Sequence, residues 1–207
     1  MKHMTIADLL THHGHKKPRW VDVDGRMLFS APAATSGALA LKPHTFHSGE
    51  DPVDSPDPGV ARSLTAANLP WWSNPDDLEP HRAAMAAHFP GFTYFEPDED
   101  RGPAWIGVLD SGRGRFRIGV VLRRDRGLPF VTVLNTKIGK NTRYGWTSPS
   151  HAYISGNPCI ADQDDWNPDE DMVATAVAWT AHWLAAYTEW RITNRWPIEG
   201  FHPNVAA

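Results

Sequence analysis

The stretch that most limits what this chain can become runs from Asn167 to Thr193. Trp179, Trp183, Tyr187 and Trp190 recur there at i, i+4, i+8 and i+11, and Val173, Ala176, Val177 and Leu184 widen the same apolar face. That period predicts a helix whose large aromatics must be buried and whose polar tips then need partners. Asn167-Pro168-Asp169 would start it, with acidic residues suiting the macrodipole, and Trp196-Pro197 would stop it beyond Thr193. Such a face needs a sheet to cover.

The strands for that sheet lie upstream. Ala104 to Leu109, Phe116 to Leu122 and Phe130 to Leu134 are apolar runs separated by Asp110-Ser111-Gly112 and by Arg123 to Gly127. Connections this short predict an antiparallel meander, because parallel strands need long crossovers. Before the strands, Asp76 to Phe89 places Leu78, Met85 and Phe89 at helical spacing, with Asn74 or Asp76 as cap and Pro90-Gly91 as stop. The predicted class is α+β, a meander flanked by an N-terminal helix and a long C-terminal helix.

Residues 1 to about 70 read as an N-terminal extension to a domain covering 71–207. Met4 to His12 predicts a short helix, and Arg19 to Phe29 alternates around Asp24-Gly25 as a small hairpin. Lys42 to Leu69 is rich in Pro, Asp, Ser, His and Gly, too polar to order itself, and reads as a linker. His12, His13 and His15 are either a solvated turn or part of a metal site. Since no other ligand cluster completes such a site, no metal and no cofactor is assigned.

Composition narrows the functional classes. A chain of 207 residues suits one compact domain with additions. The net charge of -4, with no long Lys/Arg run, argues against nucleic acid as a partner. No run of about eighteen apolar residues predicts a membrane span. A single cysteine excludes an intrachain disulfide framework, and the N-terminus lacks the pattern of a signal peptide, so the cytoplasm is the expected compartment.

The segment from Lys137 to Pro158 is broken by Gly139, Gly145, Pro149, Gly156 and Pro158 and reads as an irregular loop. It ends at Cys159, the only cysteine. On residue type alone, Cys159 is either a packed small hydrophobe or a nucleophile. The nearest base in sequence is His151, eight residues upstream. Neither Cys-Gly-Ser-Cys-Trp nor Gln-Ala-Cys occurs, so a Cys-His hydrolase lacks motif support, and a lone cysteine makes no Cys-X-X-Cys redox pair. A thiol that exchanges acyl groups remains open beside the packed one. Asp162, Asp164 and Asp165 follow closely, as capping residues or as groups that orient an incoming amine.

The run from His151 to Ile160, followed by Trp166-Asn167-Pro168, the tryptophan-rich helix, Arg195-Trp196-Pro197 and His202, resembles the prokaryotic ubiquitin-conjugating-like (UBC-like) proteins of antiphage operons, above all the stand-alone conjugating enzyme of short type II CBASS systems. The resemblance implies a UBC-like fold and an acyltransferase in which Cys159 carries a thioester. The donor would be the C-terminal glycine of a cGAS-like nucleotidyltransferase or of a ubiquitin-like protein. The acceptor would be an amine, usually a target lysine. With no Gly-rich nucleotide loop in the chain, activation would fall to a separate enzyme or to a partner that arrives activated. Eukaryotic relatives have a His-Pro-Asn tripeptide whose Asn occupies the position of His151, so His151 would take over its loop-organising or oxyanion role. His202-Pro203-Asn204 spells the same tripeptide but lies well after Cys159 and reads as tail. The alternative is a non-catalytic module of the same fold that holds a partner's tail.

Overall fold

The computed structural model describes residues 19–46, 69–98 and 101–197. The expected helix at Met4 to His12, the three neighbouring histidines, most of the linker and the His202-Pro203-Asn204 tripeptide lie outside them. The described part is mixed α and β.

The N-terminal hairpin forms as expected and gains a third strand. β1 (Trp20–Val21) pairs antiparallel with β2 (Met27–Leu28) and with β3 (Leu39–Ala40). Helix α1 (Pro75–His88) starts at Asn74, whose side chain accepts from the amide of Asp76, and buries Leu78, His81 and Met85. Four strands follow in an antiparallel sheet of order β4-β5-β6-β7: β4 (Thr93–Phe95), β5 (Ala104–Asp110), β6 (Arg115–Val121) and β7 (Phe130–Val133). The register sets Trp105 opposite Val120, Leu109 opposite Phe116 and Val120 opposite Val131. These residues form the inner, buried row that the period-two pattern predicts.

The segment expected to be irregular contains a hairpin, β8 (Lys140–Thr142) and β9 (Gly145–Thr147). No apolar alternation announces it, because it is largely exposed. Helix α2 spans Val173–Thr193 rather than starting at Asn167. Between Asn167 and Asp171 the chain closes a separate turn instead: the Asp171 amide donates to the Asn167 carbonyl (2.7 Å), and the Asn167 amide donates to Asp171 Oδ2 (2.8 Å). Met172 is then extended, so the helix cannot continue backward.

The expectation that α2 covers the sheet with one face is also corrected. Every residue from Ala176 to Trp190 is buried, the charged Glu189 included. A second layer accounts for this. The β1–β3 sheet and the segment Leu41 to Phe46 lie against α2, with Val21 and Phe46 in the same core. Lys42 to Phe46, read as linker, is ordered by side chains it does not itself supply: Trp179 Nε1 donates to the Lys42 carbonyl (3.0 Å), and Lys42 Nζ meets Asp171 Oδ2 at 2.5 Å.

Both ends of α2 are held from a distance. The Val173 amide, an orphan donor of the first turn, donates to His81 Nδ1 of α1 at 3.0 Å. At the other end Asn194 adopts the left-handed conformation (φ 61°), and Lys140 Nζ donates to the carbonyls of Trp190 and Arg191 at 3.2 Å each.

Candidate active site

Cys159 and His151 stand at the two feet of a small closed loop. The Cys159 amide donates to the His151 carbonyl (3.1 Å), and Ala152 and Pro158 form an isolated antiparallel bridge just above. Nearer the tip, the Gly156 amide donates to the Tyr153 carbonyl and the Tyr153 amide to the Asn157 carbonyl, both at 2.9 Å. Gly156 sits at φ 87° with nothing within 4 Å of where a Cβ would stand, so backbone conformation rather than space calls for glycine there. The eight-residue separation of His151 and Cys159 is therefore the span of a hairpin-like loop. At its tip Ile154 is 85% exposed.

One carbonyl oxygen ties the loop to α2. The His151 carbonyl also accepts from Trp183 Nε1 at 2.7 Å, so a single oxygen holds both the cysteine's backbone and the central helix. Trp183 stacks on Tyr187, with ring centroids 5.3 Å apart. The Tyr187 hydroxyl holds the base of the β8–β9 hairpin, donating to the Gly139 carbonyl and accepting from its amide, each at 3.0 Å. Cysteine loop and hairpin are thus anchored on successive turns of one helix.

The thiol is enclosed. Cys159 has no exposed surface, and its Sγ lies 3.9 Å from the Ala161 carbonyl. The His151 ring is buried too, against Trp196 (centroids 5.1 Å apart) and Phe46 (5.9 Å). The structure joins the two predicted residues through the backbone. Of the three aspartates, Asp162 caps the short 3-10 turn Gln163–Asp165 by accepting from the Asp164 amide, and Asp165 Oδ2 accepts from the amide (2.7 Å) and hydroxyl (3.0 Å) of Thr45. Asp162 thus serves local structure and Asp165 ties down the distant Thr45, while Asp164 is exposed.

Behind Phe46 lies a polar chain with a forced direction. Arg19 Nη1 can only donate, so His182 Nε2 accepts (2.8 Å) and the His182 proton sits on Nδ1. That N–H donates to His44 Nε2 (3.2 Å), and His44 Nδ1 donates to the Lys42 carbonyl (3.0 Å). Both rings are neutral in this arrangement. Burial pushes His44 down to about 4 and His182 well below its usual 6.5, and the Arg19 charge acts in the same direction on both. Sequence reasoning passed over Arg19, His44, Phe46 and His182. The indole N–H of Trp183 was the one available hint, since a buried Trp needs an acceptor.

Among the described residues no group of His, Cys, Asp and Glu could hold a metal ion, and no helix is long and apolar enough to cross a membrane.

The family described as Type II CBASS E2 protein matches residues 81–203, from His81 in α1 through the sheet, the Cys159 loop and α2, which is more than half of the chain. This chain belongs to that family. No curated protein and no solved structure matches it. Membership in the CBASS E2 family gives the chain a conjugation-related role in CBASS antiphage systems, among other CBASS components. The order of helix, antiparallel meander, cysteine loop and helix is compatible with an E2-like fold.

Proposed function

We propose that this CBASS E2 is an acyltransferase of the ubiquitin-conjugating type, with a UBC-like domain over 71–207 and Cys159 as its acyl carrier. The observation that carries the reading is the position of the only cysteine, at the foot of a closed loop that follows the meander and is pinned to the central helix by Trp183. In the first step the Cys159 thiolate attacks the activated carbonyl carbon of a partner's C-terminal glycine. A C–S bond forms as the bond to the activating group breaks, and that group leaves with the electron pair. In the second step a neutral amine of a target lysine attacks the thioester, the C–N bond replaces the C–S bond, and the amine's proton passes to a base or to water. The donor is a cGAS-like nucleotidyltransferase or a ubiquitin-like protein, activated elsewhere.

His151 takes the loop-organising role rather than the oxyanion role. Its carbonyl holds the Cys159 amide, whereas its ring is packed between Phe46 and Trp196. Because Cys159 is fully covered, reaction requires a local opening that exposes its Sγ.

That same burial favours a second reading, a non-catalytic UBC-like module in which Cys159 is packing. Co-expression with the operon partners followed by intact-mass spectrometry separates the two. A thiol-sensitive adduct that disappears in Cys159→Ala supports the enzyme; an unmodified chain, together with full protection of Cys159 from iodoacetamide in the native protein, supports the module.

A further inference from the structure

Between Asp125 and Asp162 the chain carries Arg126, Lys137, Lys140 and Arg143 and not one Asp or Glu, although the whole protein has a net charge of -4. This segment makes up β7, the β8–β9 hairpin and the cysteine loop. Arg126 pairs with Asp77 of α1 (3.1 Å), and Lys140 is spent on the C-terminal carbonyls of α2. Lys137 and Arg143 meet no carboxylate among the described residues, whereas Arg26, Lys42 and Arg113 each do. They lie instead over aromatic faces: Lys137 Nζ is 4.8 Å from the Trp146 ring centroid, and the Arg143 guanidinium 4.6 Å from that of Tyr144.

Those rings face solvent. Tyr144 is 84% exposed and Trp146 42%. The hairpin that presents them is held firmly. Gly139 at its base is fixed by the Tyr187 hydroxyl, and Trp146 folds so closely over Gly139 that a Cβ there would lie 2.5 Å from the indole nitrogen. Tyr187 is one helical turn, about 6 Å of rise, from Trp183, which holds the Cys159 loop. Exposed aromatics and two cations that meet no carboxylate among the described residues therefore share one rigid mount with the Cys159 loop, their anchoring side chains, Tyr187 and Trp183, standing one helical turn apart.

The geometry points to the β8–β9 hairpin as the docking surface for an acidic peptide segment with apolar side chains, the tail that leads the acyl donor's C-terminal glycine to Cys159. This rests on the acyl-transfer reading for what the tail carries, though not for the binding itself. Charge complementarity selects an acidic occupant. Two free cations beside two rings match a short peptide better than a phosphate backbone, which would need a longer basic track.

The test uses the full chain and two short fluorescein-labelled peptides ending in glycine, one alternating Glu and Leu, the other Lys and Leu, read by fluorescence anisotropy. The Glu peptide binds about tenfold more tightly than the Lys peptide, the preference shrinks at high salt, and Lys137→Glu with Arg143→Glu abolishes it. Both positions are exposed, so the double variant keeps its unfolding midpoint. Equal binding of the two peptides overturns the proposal, as does wild-type affinity in the double variant or displacement of the Glu peptide by an equal concentration of single-stranded oligo-dT. Failure of the acyl-transfer reading is told apart by Cys159→Ala: docking persists there, and its persistence with no thioester in the wild type removes the chemistry while leaving the surface. A thioester that forms at the wild-type rate in the double variant does the reverse.

Discussion

Acid should unfold this protein through its buried histidines rather than its carboxylates. His81 accepts the Val173 amide, His182 accepts from Arg19, and His44 accepts from His182, so each must be neutral to keep its partner. Burial pushes His81 and His44 down to about 4, and His182 well below the ordinary value of 6.5. In the unfolded chain all three titrate near 6.5, so below that value the unfolded state binds more protons and stability falls with pH. The stabilisation is complete above about pH 6.5, drains away as pH falls toward 4, and changes no further from these groups below that. At about pH 5 the linkage is on the order of 2 kcal/mol for each of His81 and His44, with His182 adding in the same direction. Against a domain stability of about 5–15 kcal/mol, that is a large share of the margin. Asp110, held below 3.8 by its hydrogen bond to Arg26, acts with the same sign in a separate and lower window. Urea titrations followed by tryptophan fluorescence at about pH 7.5, 6 and 5 measure the effect. A midpoint that does not move between pH 7.5 and 5 refutes it.

Two further outcomes follow from the cysteine loop. Trp183→Phe removes the donor to the His151 carbonyl and part of a fully buried ring; it should cost about 2–4 kcal/mol in urea unfolding and speed native alkylation of Cys159, because the loop loses its hold on α2. Gly156→Ala should cost only about 1–2 kcal/mol, since backbone strain at φ 87° is its sole penalty, and its effect should appear in hydrogen exchange of the Tyr153 and Gly156 amides before it appears in the global melt.

The parts of this fold that were legible in the sequence are those whose partners lie within a few residues or repeat at a fixed period. The inner row Trp105, Leu109, Phe116, Ile118, Val120 and Val131 follows from alternation, and the aromatic ladder of α2 from the helical period. β4 was missed because three residues running into Glu96-Pro97-Asp98 carry no pattern, and β8–β9 because its residues are largely exposed on both faces. The first amide of α2 is held by a histidine of α1, and the helix is buried all round by Val21, Phe46 and their neighbours, none of which leaves a local mark near Val173.

The site divides along the same line. The spacing of His151 and Cys159 was readable because a closed loop has a length, yet their meeting through the backbone was not, since it depends on Trp183 arriving from the far side of the core. One physical requirement links these long-range features: buried polar groups must be satisfied, and the indoles of Trp179 and Trp183, the Tyr187 hydroxyl and the His182 ring all reach out of α2 to segments far away in sequence. An enclosed helix with these four polar tips reaching loop backbone or the ring of a neighbouring segment acts as a frame. It sets the hairpin, the cysteine loop and the Lys42 to Phe46 segment in fixed relation, so a change in α2 far from Cys159 in sequence should be felt first as loosening of the loop that ends at Cys159.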